Sequence, residues 1–186
     1  MRHHLVIPVL LAAFLAPALA QAPAAPATAT KPGAPRTIGW EDLVPRGWDP
    51  MKDLRGVDFA SLQDGDPRAQ EMLKRLREVW DNAPMNPALE GQSVRLPGFV
   101  VPLEDGKDGM REFLLVPYFG ACIHSPPPPA NQIVHVLPRS AAKGLRSMDT
   151  VWIAGTLKLV RTDSAMGAAG YRLDAATVAP YVEKPR

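Results

Sequence analysis

From residue 92 onwards, apolar side chains recur at every second position in short runs separated by glycine-, proline- or acid-bearing turns. Alternation with period two is the pattern of strands that turn one face to a core. The first run, residues 93–103 (SVRLPGFVVPL), carries Val94, Leu96, Phe99, Val101 and Leu103, and Pro97-Gly98 marks a bulge or bend within it. The polar turn EDGKDGM follows, then a second strand at residues 112–118 (EFLLVPY) and a third at 132–137 (QIVHVL). Residues 150–161 (TVWIAGTLKLVR) form the longest and most regular strand, and 170–178 (GYRLDAATV) closes the series.

Five short strands with glycine-marked bends predict a mostly β fold, a small five-stranded antiparallel barrel. The order of strand, hairpin, strand, longer connection and hairpin fits the oligonucleotide/oligosaccharide-binding (OB) type. Upstream, Asp66-Pro67 reads as a helix start, because Asp accepts free backbone N–H groups and Pro at the first position sacrifices no hydrogen bond. Met72, Leu73, Leu76, Val79 and Trp80 then fall at helical spacing, with charged residues between them, up to about Asn82. They predict one amphipathic helix with a core-facing stripe. Trp40 and Trp48 in irregular chain predict an N-terminal arm docked through their large apolar area.

The chain has 186 residues and a formal charge of +2. Residues 1–20 (MRHHLVIPVLLAAFLAPALA) combine a basic start, a short apolar run and an Ala18-x-Ala20 ending, the pattern of a secretory signal peptide cleaved after Ala20. Interrupted at Pro8 and Pro17, the run falls short of the ~20 residues needed to span a bilayer. Residues 21–36 (QAPAAPATATKPGAPR) have no large apolar side chain and read as a solvated linker to a single domain at 37–186. Arg2, Lys31 and Arg36 lie in these two segments with no acid beside them, leaving the domain 18 basic against 19 acidic residues. That balance gives no electrostatic case for binding nucleic acid. The expected location is a bacterial periplasm.

One loop stands apart in chemistry. Residues 119–132 (FGACIHSPPPPANQ) contain the only cysteine, Cys122, with His124 two positions on, then Pro126, Pro127, Pro128 and Pro129, and the amides Asn131 and Gln132. In extended chain, residues two apart share a side, so Cys122 and His124 are available to one partner. Four consecutive prolines favour a stiff polyproline II arm. A single cysteine excludes an internal disulfide and any zinc site needing two thiolates from one chain. The acidic turn EDGKDG lacks the spacing of an EF-hand, and no phosphate-binding glycine loop, G-x-S-x-G elbow or HExxH helix is present.

The segments TIGWEDLVP, VPYFGACIHSPPPPANQIVHV and VWIAGTLKLV resemble the bacterial family known as domain of unknown function 3299, over about residues 37–182. The resemblance implies a small OB-type barrel in exported proteins that act as accessories of envelope systems, near transporters. It brings no established activity. Three readings of the loop stay open. Cys122, His124 and His135, the other histidine of the domain, would form a three-ligand site for zinc or copper, provided that His135 faces the pair. The proline arm with Asn131 and Gln132 would form a rigid surface that docks an envelope partner. A histidine beside Cys122 would activate its thiol for catalysis, the least favoured of the three.

Overall fold

The computed structural model describes residues 33–52, 55, 66–106, 108–123 and 127–182. The signal-peptide reading and most of the linker lie outside these residues, as do His124 and Pro126. The described chain contributes eight strands: β1 (Arg36–Thr37), β2 (Ser93–Gly106), β3 (Gly109–Val116), β4 (Val134–Pro138), β5 (Thr150–Lys158), β6 (Thr162–Ser164), β7 (Gly167–Ala169) and β8 (Tyr171–Pro180), with one α-helix, α1 (Pro67–Asp81).

Strands β2, β3, β4, β8 and β5 are hydrogen-bonded in that order, and β5 returns to β2, closing a five-stranded barrel of the expected OB type. Strand β2 belongs to both edges of the closure: Ser93 to Phe99 pair with β5, and Phe99 to Gly106 pair with β3. The two ladders meet at Phe99, next to the Pro97-Gly98 step singled out from sequence, where the β2–β5 register runs unbroken; the register shifts of β2 lie between Pro102 and Asp105. A Cβ on Gly98 would stand 2.7 Å from Leu115 Cγ and 2.8 Å from the Val116 carbonyl oxygen, so the close approach of β2 to β3 demands glycine. The barrel is not purely antiparallel, because β4 and β8 run parallel, Val134 opposite Tyr171. Parity explains the departure: strand direction cannot alternate all the way round a closed ring of five.

Inside the barrel, Val94, Leu96, Val100, Phe113, Leu115, Val136, Ile153, Leu157, Tyr171 and Leu173 form one continuous buried cluster. Burying a side chain of this size is worth about 1.5–3 kcal/mol, and their number makes the barrel the main source of stability. Tyr171 places the one polar atom needing satisfaction there: its hydroxyl donates to the Leu43 carbonyl at 2.6 Å and accepts from Asn86 N–H at 2.5 Å.

The N-terminal arm docks as its tryptophans predict. Strand β1 lies parallel to β2, Ile38 and Leu43 are buried, and Trp40 Nε1 donates to the Pro97 carbonyl at 2.9 Å. Helix α1 starts where the sequence places it, with the Asp66 carboxylate accepting from Arg68 N–H at 2.8 Å. Its apolar stripe is less covered than predicted. Met72, Leu76, Val79 and Trp80 are only half-buried and Leu73 is exposed. The barrel is already sealed, and α1 reaches β7, whose Ala168 and Ala169 offer little area to cover it.

Candidate functional site

The loop between β3 and β4 lies against the outer surface of the barrel. Strand β3 prepares that surface: Phe113 and Leu115 point into the barrel, whereas Leu114 and Val116 join Val101, Ala121, Ile133 and Ala169 in a second buried cluster outside it. Phe99, Leu103, Cys122, Met148 and Met166 pack around this outer layer. The loop therefore has an anchored underside and a free upper side.

The underside holds most of the residues singled out from sequence. Pro128 and Ala130 are buried, and Pro127 lies so close to the β6–β7 hairpin that a Cβ on Gly167 would stand 2.9 Å from its Cβ. Gly167 has φ +130°, a conformation that favours glycine in any case. Asn131 is fully buried, donating from Nδ2 to the Pro84 carbonyl at 3.0 Å, while its Oδ1 has no partner. Gln132 Nε2 donates to the Trp40 carbonyl at 2.8 Å, tying the loop to the N-terminal arm. The two amides thus clamp the base of the loop onto the chain that precedes the barrel.

The upper side carries residues the sequence reading passed over. Tyr118 is 44%, Phe119 66% and Ile123 39% exposed, three large apolar side chains within six residues. Phe119 meets Phe99 edge to face at 5.9 Å between ring centres. The signal for such a tip is present in the sequence: from Phe113 to Pro138 there is no Asp, Glu, Lys or Arg. An uncharged run that long contains more apolar surface than one small barrel can cover.

Cys122 sits half-buried between the two sides in a left-handed conformation, φ 65°. Met148, φ 64°, is the other non-glycine residue with positive φ among those described, and its Sδ accepts a hydrogen bond from Gly120 N–H at 3.1 Å. Two such conformations cost of order 1–3 kcal/mol each and require surroundings that enforce them. Burial pushes the Cys122 thiol up to about 11. It stays protonated at neutral pH, the opposite of what an activated nucleophile requires.

His135 is 6% exposed on β4, directly across from Leu114 of the outer layer. Its Nε2 lies 2.6 Å from Glu112 Oε1. The other ring nitrogen, Nδ1, is buried and without a hydrogen-bond partner. Among the described residues, no group of three or more His, Cys, Asp or Glu side chains is placed to hold a metal ion. No described helix is long and apolar enough to cross a membrane.

Fold and site together define an OB-type barrel whose β3–β4 loop is clamped below and open above. Comparison with known proteins names the family: over residues 40–180 the chain matches the model described as a protein of unknown function, DUF3299, and it belongs to that family. A crystal structure of a DUF3299 family protein from Pseudomonas aeruginosa is 37% identical, with a TM-score of 0.63, over 82% of this chain and 100% of that one. A small single-stranded DNA-binding protein from Streptomyces coelicolor is 16% identical over 50% of this chain and 96% of its own, with a TM-score of 0.32, too low to bear on function. No curated protein matches.

Proposed function

We propose that the protein is an exported, periplasmic accessory module that docks a protein of the bacterial envelope, such as a transporter component, through the tip of the β3–β4 loop. The observation that carries this reading is the exposure of Tyr118, Phe119 and Ile123 above a base held by Asn131, Gln132 and the proline arm. Aromatic side chains presented on a rigid support are the usual anchors of protein interfaces. The prolines and amides serve as the backing that holds the tip in place. The leader ending at Ala20 supports export, and N-terminal sequencing of the secreted product should then begin at Gln21. A photo-crosslinking amino acid at position 119, in cells, should give a discrete adduct that weakens with Ile123→Ser. The same adduct from position 73 or 182, exposed apolar sites elsewhere, would defeat the proposal.

A second reading, binding of zinc or copper through Cys122 and His135, is favoured by the Glu112–His135 bond. A carboxylate on the far nitrogen is the arrangement that orients a metal-ligating imidazole. His124 belongs to this proposal through its place in the sequence. Loss of bound metal in Cys122→Ser, measured by native mass spectrometry, tests it. Catalysis by the thiol has no support, because burial keeps Cys122 protonated.

A further inference from the structure

We infer that the open edge of β8 is a second interaction surface, which takes an extended, acid-bearing segment of a partner protein as an added strand. It is independent of the β3–β4 tip. The first half of β8 has neighbours on both sides: Arg172 to Ala175 pair with β4 and with β5. The β4 ladder stops at Pro138, opposite Ala175, with a last bond from Arg139 N–H to the Ala175 carbonyl at 3.0 Å. There the β5–β8 register slips, Gly155 facing Ala175 but Ala154 facing Thr177. A bulge of this kind ends pairing on one side of a strand. Among the described residues, β8 from Thr177 to Pro180 pairs with β5 alone.

The phase of that ladder fixes which backbone groups are left over. Tyr181 N–H donates to the Thr150 carbonyl at 2.9 Å, spanning the pair Val151–Pro180. Bonded and non-bonded pairs alternate along an antiparallel ladder, so Trp152–Ala179 and Ala154–Thr177 carry the bonds and Ile153–Val178 does not. Val178 therefore turns both its N–H and its C=O to the side that β4 has left. Such groups are a template for a further strand. Pro138 and Pro180 bracket the edge, so it admits a short segment and not an open-ended stack.

A cleft of about 390 Å3 lies along this edge, between the chain at Ala142–Leu145 and the facing ends of β5 and β8. Leu145, Val151 and Val178 give it an apolar lining, which suits one aliphatic side chain of an entering strand. Two charged residues also line it. The Asp149 carboxylate is turned to its own backbone, accepting from Arg146 N–H at 2.8 Å. Lys143 is exposed and in no ion pair among the described residues. An ammonium at the cleft wall selects a segment with an acidic residue beside the aliphatic one.

The test is NMR of the isotope-labelled protein, alone and with the capped peptide Thr-Val-Thr-Val-Glu-Thr. In the free protein the Val178 amide should exchange with solvent at least about tenfold faster than those of Thr177 and Ala179, which are hydrogen-bonded. Equal protection of all three would mean that the edge is already covered, and overturns the inference. The peptide should slow exchange at Val178. Binding should weaken about tenfold when the peptide valines are N-methylated, and equally in Val178→Pro, since each removes a ladder hydrogen bond. Proline is tolerated where the N–H faces away from the ladder; if Val178→Pro lowers the thermal midpoint, the N-methylated peptide decides alone. Lys143→Glu should weaken binding about threefold or more, and an unchanged affinity overturns the choice of an acidic segment. No binding of the parent peptide, or equal binding of the N-methylated one, overturns the strand site and leaves the tip proposal standing. Phe119→Ala should not alter peptide affinity; a loss there puts the peptide on the tip and removes the second surface.

Discussion

The barrel interior and the outer layer under the β3–β4 loop are built from the same strand, β3, yet follow different rules. Phe113 and Leu115 enter an interior where every side chain is apolar or, like Tyr171, fully hydrogen-bonded. Leu114 and Val116 enter a layer containing Cys122 and Met148 in left-handed conformations, and His135, paired across from Leu114, keeps its Nδ1 buried and unpaired. Packing alone accounts for the interior. The outer layer keeps strained backbone and an orphaned polar atom that cost stability, and such features persist where something other than stability is served.

The contrast can be broken most directly by truncation. Phe113→Ala removes a fully buried ring and should cost about 3–5 kcal/mol in denaturant unfolding. Phe119→Ala should cost no more than about 1 kcal/mol, because it loses chiefly one edge contact with Phe99. Similar losses of stability would erase the distinction between the two regions.

A smaller effect is expected where the arm meets the interior. Tyr171→Phe leaves the Leu43 carbonyl and the Asn86 N–H without their hydroxyl partner, at about 1–3 kcal/mol. A neutral result would mean that the arm is not held by the barrel. Gln132→Ala should cost less, about 1 kcal/mol, since Gln132 is only half-buried and water can replace its bond to Trp40.

The most delicate test sharpens the account of Cys122. Its thiol titrates near 11 in the fold but at about 8.5 in an unfolded chain. Between these values the native state keeps a proton that the unfolded state has lost, so stability is intact below about pH 8.5 and declines as pH rises towards 11. Cys122→Ser should flatten that part of the stability profile. Alkylation should be slow at pH 8 and accelerate only in strong alkali; fast reaction at neutral pH would restore the case for an activated thiol.

Much of the fold was legible because strand and helix signals are local. The five barrel strands follow from alternation, and the start of α1 from Asp66-Pro67. The β6–β7 hairpin was missed because strands of three residues without a large apolar side chain, Thr-Asp-Ser and Gly-Ala-Ala, carry no alternation. At the loop, sequence picked out Cys122, Asn131 and Gln132 by type but not their roles. The clamps formed by the two amides end on backbone carbonyls of Pro84 and Trp40, and a carbonyl has the same signature at every position. The exposed tip was hidden for another reason: FLLVPYF is apolar throughout, and alternation cannot tell a strand covered on both faces from one that runs on into solvent.

The sequence by itself determined the barrel, the leading helix and the place of the unusual chemistry, because periodicity, capping and residue type act over a few positions. Tertiary structure alone decided which side of the loop is clamped and which is open, that His135 is fastened by Glu112, and that Met148 and Met166 share a layer with Cys122. Those relations join residues far apart in the chain, and barrel closure, not local preference, brings them together.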